Sequence, residues 1–128
     1  MSPSVNWMSD PEEHDYPAAE NFLSLLVAPD EAAALARAMR SVSTEFHKAK
    51  DLLRASRLTL LDRENPHVRH DLAKIHDGRP LSPVLLVRGD LHSGRVLVIA
   101  DGYHRVCASY HVDENTPIPC RIVDPARV

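Results

Sequence analysis

Apolar positions change their spacing along this chain, and each change marks an element. Val96 to Ala100 is an unbroken, mostly β-branched run of strand length. Asp101-Gly102 interrupts it. Beyond the break Tyr103, Val106, Cys107 and Tyr110 recur at helical spacing, which predicts a short helix with one apolar stripe. Upstream, Val84 to Arg88 reads as a strand, and the polar loop Gly89 to Gly94 returns the chain into 96–100. Ile118 to Val123 reads as the last strand, and Leu58 to Leu61 as a short strand candidate.

The remaining helices are read from caps as well as period. Asn65 suits an N-cap, Pro66 the first helical position and Gly78 the stop. Between them Val68, Leu72 and Ile75 share one face, and His67, His70 and Lys74 share the nearly opposite one. Residues 17–57 are helical in pattern. Phe22, Leu25 and Leu26 are spaced for one apolar face, Pro29 opens a second helix carrying Leu35 and Met39, and Thr44 caps a third with Phe46, Ala49, Leu52 and Leu53 inward. Residues 1–16, rich in Pro, Asp and Glu with a lone Trp7, read as a mobile acidic arm. The order of elements predicts an α+β fold in which a small mixed β-sheet packs with helices.

Charge and cysteine usage narrow the function classes. The net charge of −3 over 128 residues argues against a nucleic-acid surface. The balance is uneven. Residues 1–50 carry four Lys/Arg against eight Asp/Glu, and residues 51–128 carry eleven against ten with six of the eight histidines, so an anion site belongs in the second part. Cys107 and Cys120 fall on apolar positions and read as buried thiols of a reducing compartment. No apolar run approaches the roughly 20 residues of a membrane helix, and no secretory pattern is present, so a cytoplasmic, non-membrane protein is expected. Glu45, His47 and Asp51 could share a helix face but read as solvated, and His67 with His70 lack the partners of a zinc set, so no metal centre is expected.

The chemistry concentrates at Asp101-Gly102-Tyr103-His104-Arg105. The first turn of a helix offers unpaired N–H groups and the positive end of the dipole. Gly102 would let a ligand approach the backbone, and an imidazole and a guanidinium beside those N–H groups suit a phosphate. Asp101 is the nearest carboxylate, as metal ligand, general base or helix cap.

Residues 58–123 resemble the ParB/sulfiredoxin superfamily. The resemblance is carried by strand, Asp101-Gly102-Tyr103-His104-Arg105, helix, and Ile118-Pro119-Cys120-Arg121-Ile122-Val123, with the 65–75 helix and Pro83-Val84-Leu85-Leu86-Val87 upstream. Sulfiredoxins have a Gly-Cys-His-Arg turn there, free serine kinases Asp-Gly-His-His-Arg, and ParB proteins a Gly-Glu-Arg-Arg type. The resemblance covers about half the chain. It implies a ParB/sulfiredoxin-like domain over 58–128 behind an N-terminal helical extension (17–57). It also implies nucleotide-phosphate binding by Gly102, Tyr103, His104 and Arg105, with His67, His70 and Lys74 at upstream nucleotide-contacting positions. ATP or another nucleotide with Mg²⁺ is then the expected cofactor, and phosphotransfer or nucleotide hydrolysis through Asp101 the expected reaction. Tyr103 stands where sulfiredoxins carry their nucleophilic cysteine, so sulfinic acid reduction is not expected. The alternative is a non-catalytic ligand-sensing or protein-interaction module, with a homodimer through the N-terminal helices. A ParB-like nucleic-acid-associated protein ranks last.

Overall fold

Strand Val84–Val87 (β2) shows how the molecule is layered. All four of its side chains are buried, and they alternate between two faces. Val84 and Leu86 join a core with Leu52, Val68, Val106 and Cys107. Leu85 and Val87 join a second core with Tyr16, Leu23, Leu35 and Met39. A strand covered on both sides reads as a continuous apolar run, as this one does. The computed structural model, which describes residues 4–125, is therefore a sheet between two helical layers.

One layer holds helices α1 (Asp15–Leu23) and α2 (Pro29–Ser41). The other holds α3 (Ala49–Ser56), α4 (Pro66–His76) and α5 (Tyr103–Val112). The sheet adds β1 (Thr44–Lys48), β3 (Val98–Asp101) and β4 (Pro117–Val123), in the order β1-β4-β2-β3. The β4–β2 pair is parallel and the other two are antiparallel. The fold is α+β with a four-stranded mixed sheet, as the order of elements predicts. No helix among the described residues is long and apolar enough to cross a membrane.

Local signals place α4 and α5 well. The Asn65 side chain accepts hydrogen bonds from the N–H groups of His67 (3.0 Å) and Val68 (3.2 Å), with Pro66 behind it. Val68 and Ile75 are buried and Leu72 packs against the same core, so His67, His70 and Lys74 face away from it. On α5, Val106 and Cys107 are buried, with Tyr103 and Tyr110 half-buried beside them. Both cysteines are free and buried.

Three element expectations fail, each where tertiary contacts override local pattern. Residues 44–48 form edge strand β1 against β4 rather than a helix start. None of its side chains is buried, so the segment carried no apolar alternation to reveal it. Leu58 to Leu61 is not a strand. It crosses α5, where the carbonyl of Thr59 accepts from the Tyr103 hydroxyl and that of Leu61 from His111 Nε2 (2.7 Å). α1 ends at Leu23 and turns Tyr16, Ala19 and Leu23 inward, leaving Phe22, Leu25 and Leu26 exposed. Within residues 17–57, β1 joins the sheet through its pairing with β4, and α1 and α2 cover one sheet face.

The described part of the acidic arm, residues 4–16, lies against the domain. Leu81 exchanges backbone hydrogen bonds with Asn6 and Met8 (2.8 Å each), and Trp7 packs on the core beside it. Its carboxylates meet arginines of the body: Asp10 with Arg121 and Glu13 with Arg40 at 2.7 Å, and Asp15, the first residue of α1, with Arg105 at 3.3 Å. The charge asymmetry of the sequence is thus partly consumed inside the molecule. Residues 1–3 of the arm and 126–128 of the expected second domain lie outside the described residues.

Candidate functional site

The uncapped start of α5 opens into a pocket of about 290 Å³ between α4, α5 and the segment entering α1. Gly102 is its N-cap and offers no side chain, so α5 begins with no side-chain acceptor on its first N–H groups. Seven of the eight expected site residues line the pocket: His67, His70, Lys74, Asp101, Gly102, His104 and Arg105. His70 and Lys74 are one helical turn apart on α4, and the His67 ring lies 4.6 Å from that of His104, centroid to centroid. Tyr103 is the exception. It lies on the core-facing side of α5 and gives its hydroxyl to the Thr59 carbonyl.

Two of the expected ligand groups have other work. Gly102 sits at φ +113°, and a Cβ there would lie 2.5 Å from Val84 Cγ1. Its close approach is to β2. Arg105, only 13 % exposed at its side chain, is enclosed by acceptors. Nη2 reaches Asp101 Oδ2 at 2.5 Å, and Nη1 reaches the Ser82 carbonyl at 2.7 Å and the Pro83 carbonyl and Asp15 Oδ2 at 3.3 Å. The guanidinium joins α1, α5 and the entry to β2. Its carboxylate partners leave little of its charge for a phosphate.

Asp101 does not cap α5. It holds Arg105, and burial raises its carboxyl above the ordinary value, opposed by Arg105 and reinforced by Asp15. Asp71, on α4 and absent from the expected site, also lines the pocket. It is half-buried and makes no hydrogen bond among the described residues. Burial raises its carboxyl too, against the pull of Arg105, Lys74, His70 and His104. Its place could have been read from the sequence, since it adjoins His70 and lies one turn before Lys74's end of the polar face. His104 is pushed below the ordinary histidine value by burial first and by the neighbouring His67 second, with Asp71 opposing. The neutral imidazole is therefore favoured in the pocket.

These directions fix a pH dependence. A carboxyl whose value is raised on folding contributes stability that is full below the ordinary 3.8 and is lost as pH rises through the raised folded value. Asp71→Asn removes that loss. The variant is expected to gain on the wild type as pH rises from about 4 towards 7, read from urea unfolding at a series of pH values. A pH-independent difference would contradict this.

The opposite rim holds Glu12, His14 and Asp15, whose ligating atoms lie within 4.8 Å of one another. His14 Nε2 already contacts Glu12 at 2.9 Å and Asp15 at 3.3 Å. Asp15 also accepts from the Ser82 hydroxyl. The cluster pairs within itself and fixes the pocket wall.

Comparison of the chain with protein-family models, with curated proteins and with solved structures gives no match. The resemblance of residues 58–123 to the ParB/sulfiredoxin superfamily therefore rests on the residues that carry it.

Proposed function

We propose that the pocket between α1, α4 and α5 binds a phosphorylated ligand, a nucleotide with Mg²⁺ being the form its motif suggests. The observation that supports this most is the convergence of an uncapped helix start with His67, His70, Lys74 and His104 on one pocket. N–H groups at a helix start and nitrogen donors around them are what a phosphate uses. The reading differs from the sequence expectation in its cast. Lys74, His70 and His104 meet the ligand, and Arg105 with Asp101 holds the wall. If turnover follows, Asp71 is the carboxylate left for Mg²⁺ or for a proton, because Asp101 is bound to Arg105. The likeness to the superfamily, as a ParB/sulfiredoxin-like protein without the sulfiredoxin cysteine, adds to this reading.

The test is thermal unfolding with ATP, ADP and CTP plus Mg²⁺, on the wild type and on His70→Ala/Lys74→Ala. Both residues are off the core, so the variant keeps its fold. A ligand at 100 times its Kd stabilises by about 2.7 kcal/mol, and the shift should vanish in the variant. Binding should be tighter at pH 6 than at pH 8, because an anion favours the His104 imidazolium that burial disfavours. No shift with any nucleotide would refute the nucleotide reading.

A second reading, a partner-binding module that pairs with its own copy through the N-terminal helices, is favoured by Phe22, Leu25 and Leu26, exposed by 43, 81 and 56 %. It requires a concentration-dependent dimer in sedimentation velocity that Leu25→Glu/Leu26→Glu abolishes. A wild type that stays monomeric across the series excludes it.

A further inference from the structure

A second cleft, of about 490 Å³, lies between the end of α3 and the β2–β3 hairpin, and it shares no residue with the pocket described above. Its floor is apolar. Leu52 and Leu86 belong to the core, and Val96, Leu97 and Ile122 are half-buried beside them. Leu91, 94 % exposed at the hairpin tip, borders it. Its volume falls within the roughly 300–1,000 Å³ of small-molecule sites, and an apolar floor with few polar groups is their usual lining.

The rim carries four arginines: Arg54 and Arg57 at the end of α3, Arg88 after β2, and Arg95 at the end of the hairpin loop. Their carboxylate partners are uneven. Arg88 Nε is held by Asp124 at 2.7 Å. Arg54 to Asp51 and Arg95 to Asp90 are long contacts, 3.7 and 3.8 Å. Arg57 has no side-chain partner among the described residues. Among the described residues Asp51 and Asp90 line the cleft and Asp124 holds Arg88, three carboxylates against four arginines, so positive charge is in excess.

Arg57 is also the one non-glycine residue with positive φ among those described (φ 57°, ψ 23°). It follows the last turn of α3, the position where glycine is favoured because a Cβ is strained there. An arginine in that conformation costs stability, and the residue stands among those that line the cleft.

We propose that this cleft binds a small amphipathic carboxylate, its apolar body on Leu52, Leu86, Leu97 and Ile122 and its acid group at Arg57 and Arg95. Charge complementarity selects the head group and the leucine-lined floor selects the body. Straight-chain and aromatic acids share this chemistry, so both enter the test.

The experiment is ¹H–¹⁵N NMR titration of the full chain with octanoate, 2-naphthoate, 1-octanol and acetate. Shifts at residues 52–57 and 86–97 with octanoate or naphthoate, about tenfold weaker with octanol and absent with acetate, are expected. Whichever acid binds more tightly identifies the body. Arg57→Gly should weaken acid binding about tenfold while leaving the melting temperature unchanged or raised, because glycine suits the left-handed position. Misfolding cannot mimic that combination. His70→Ala/Lys74→Ala should bind the acid like the wild type, which separates this site from the phosphate pocket. Absence of shifts with both acids at millimolar concentration, or equal shifts with octanol, overturns the proposal. So does unaltered binding by Arg57→Gly.

Discussion

Replacing Arg105 by alanine is expected to cost about 3–5 kcal/mol of folding stability, the range for breaking a buried ion pair from one side. The side chain is 13 % exposed, and the carboxylates it serves are 7 % exposed at Asp15 and 21 % at Asp101. Without the guanidinium these two acids face each other, and the carbonyls of Ser82 and Pro83 lose their donor. Burial then acts on Asp101 without the opposing guanidinium. The deficit should shrink as pH falls, because protonation relieves the repulsion and the unpaired charge together. Urea unfolding at pH 7 and pH 5 reads both effects. Adding Asp101→Asn to the variant should recover part of the loss. A change below about 1 kcal/mol with loss of ligand binding would instead return Arg105 to the proposed ligand groups, since surface substitutions cost that little.

Gly102→Ala is expected to cost about 3 kcal/mol by a different route. At φ +113° an L side chain is strained, a cost of order 1–3 kcal/mol. The new Cβ would lie 2.5 and 2.9 Å from Val84 Cγ1 and Cβ, and 3.0 Å from Arg105 Nη2. Val84 is fully buried in β2, so it cannot turn aside, and overpacking of this kind adds about 1–3 kcal/mol. Gly78 is the control. It too has positive φ (+74°), but a Cβ there meets nothing within 4 Å. Gly78→Ala should therefore show the conformational cost alone, about 1 kcal/mol. Equal losses at both positions, measured by thermal unfolding, would mean that the contact with Val84 is relieved by a small shift of α5.

The two variants also separate roles that the Asp101–Arg105 motif joins. From residue types and spacing, Gly102 and Arg105 look like phosphate-binding groups, because a glycine and a guanidinium at a helix start suit an anion, and Asp101 looks like a metal ligand, general base or helix cap beside them. In the folded chain Gly102 is occupied by β2, and Asp101 by Arg105. The polar face of α4 keeps its side chains turned to the pocket, and Asp71 joins it.

Period and capping make several elements legible in the amino-acid order. Asn65 with Pro66 starts α4, the Val68/Leu72/Ile75 face buries it, the Asp-Gly break separates β3 from α5, and the apolar run from Val84 is a strand. These follow from backbone geometry and the partition of side chains between water and core, acting over a few residues. The tertiary structure alone decided the rest. β1 exists because β4 offers its edge, not because Thr44–Lys48 alternates. The acidic segment lies down because Arg121, Arg40 and Arg105 await its carboxylates, pairs separated by up to 111 residues. Arg105 and Asp15 are 90 residues apart, so no local pattern could show that the motif's arginine is already bound. The arginine-rimmed cleft likewise joins α3 to a hairpin some 35 residues later. Coulombic and hydrogen-bonding partners are chosen by proximity in space, and proximity in space is settled only when the chain has folded.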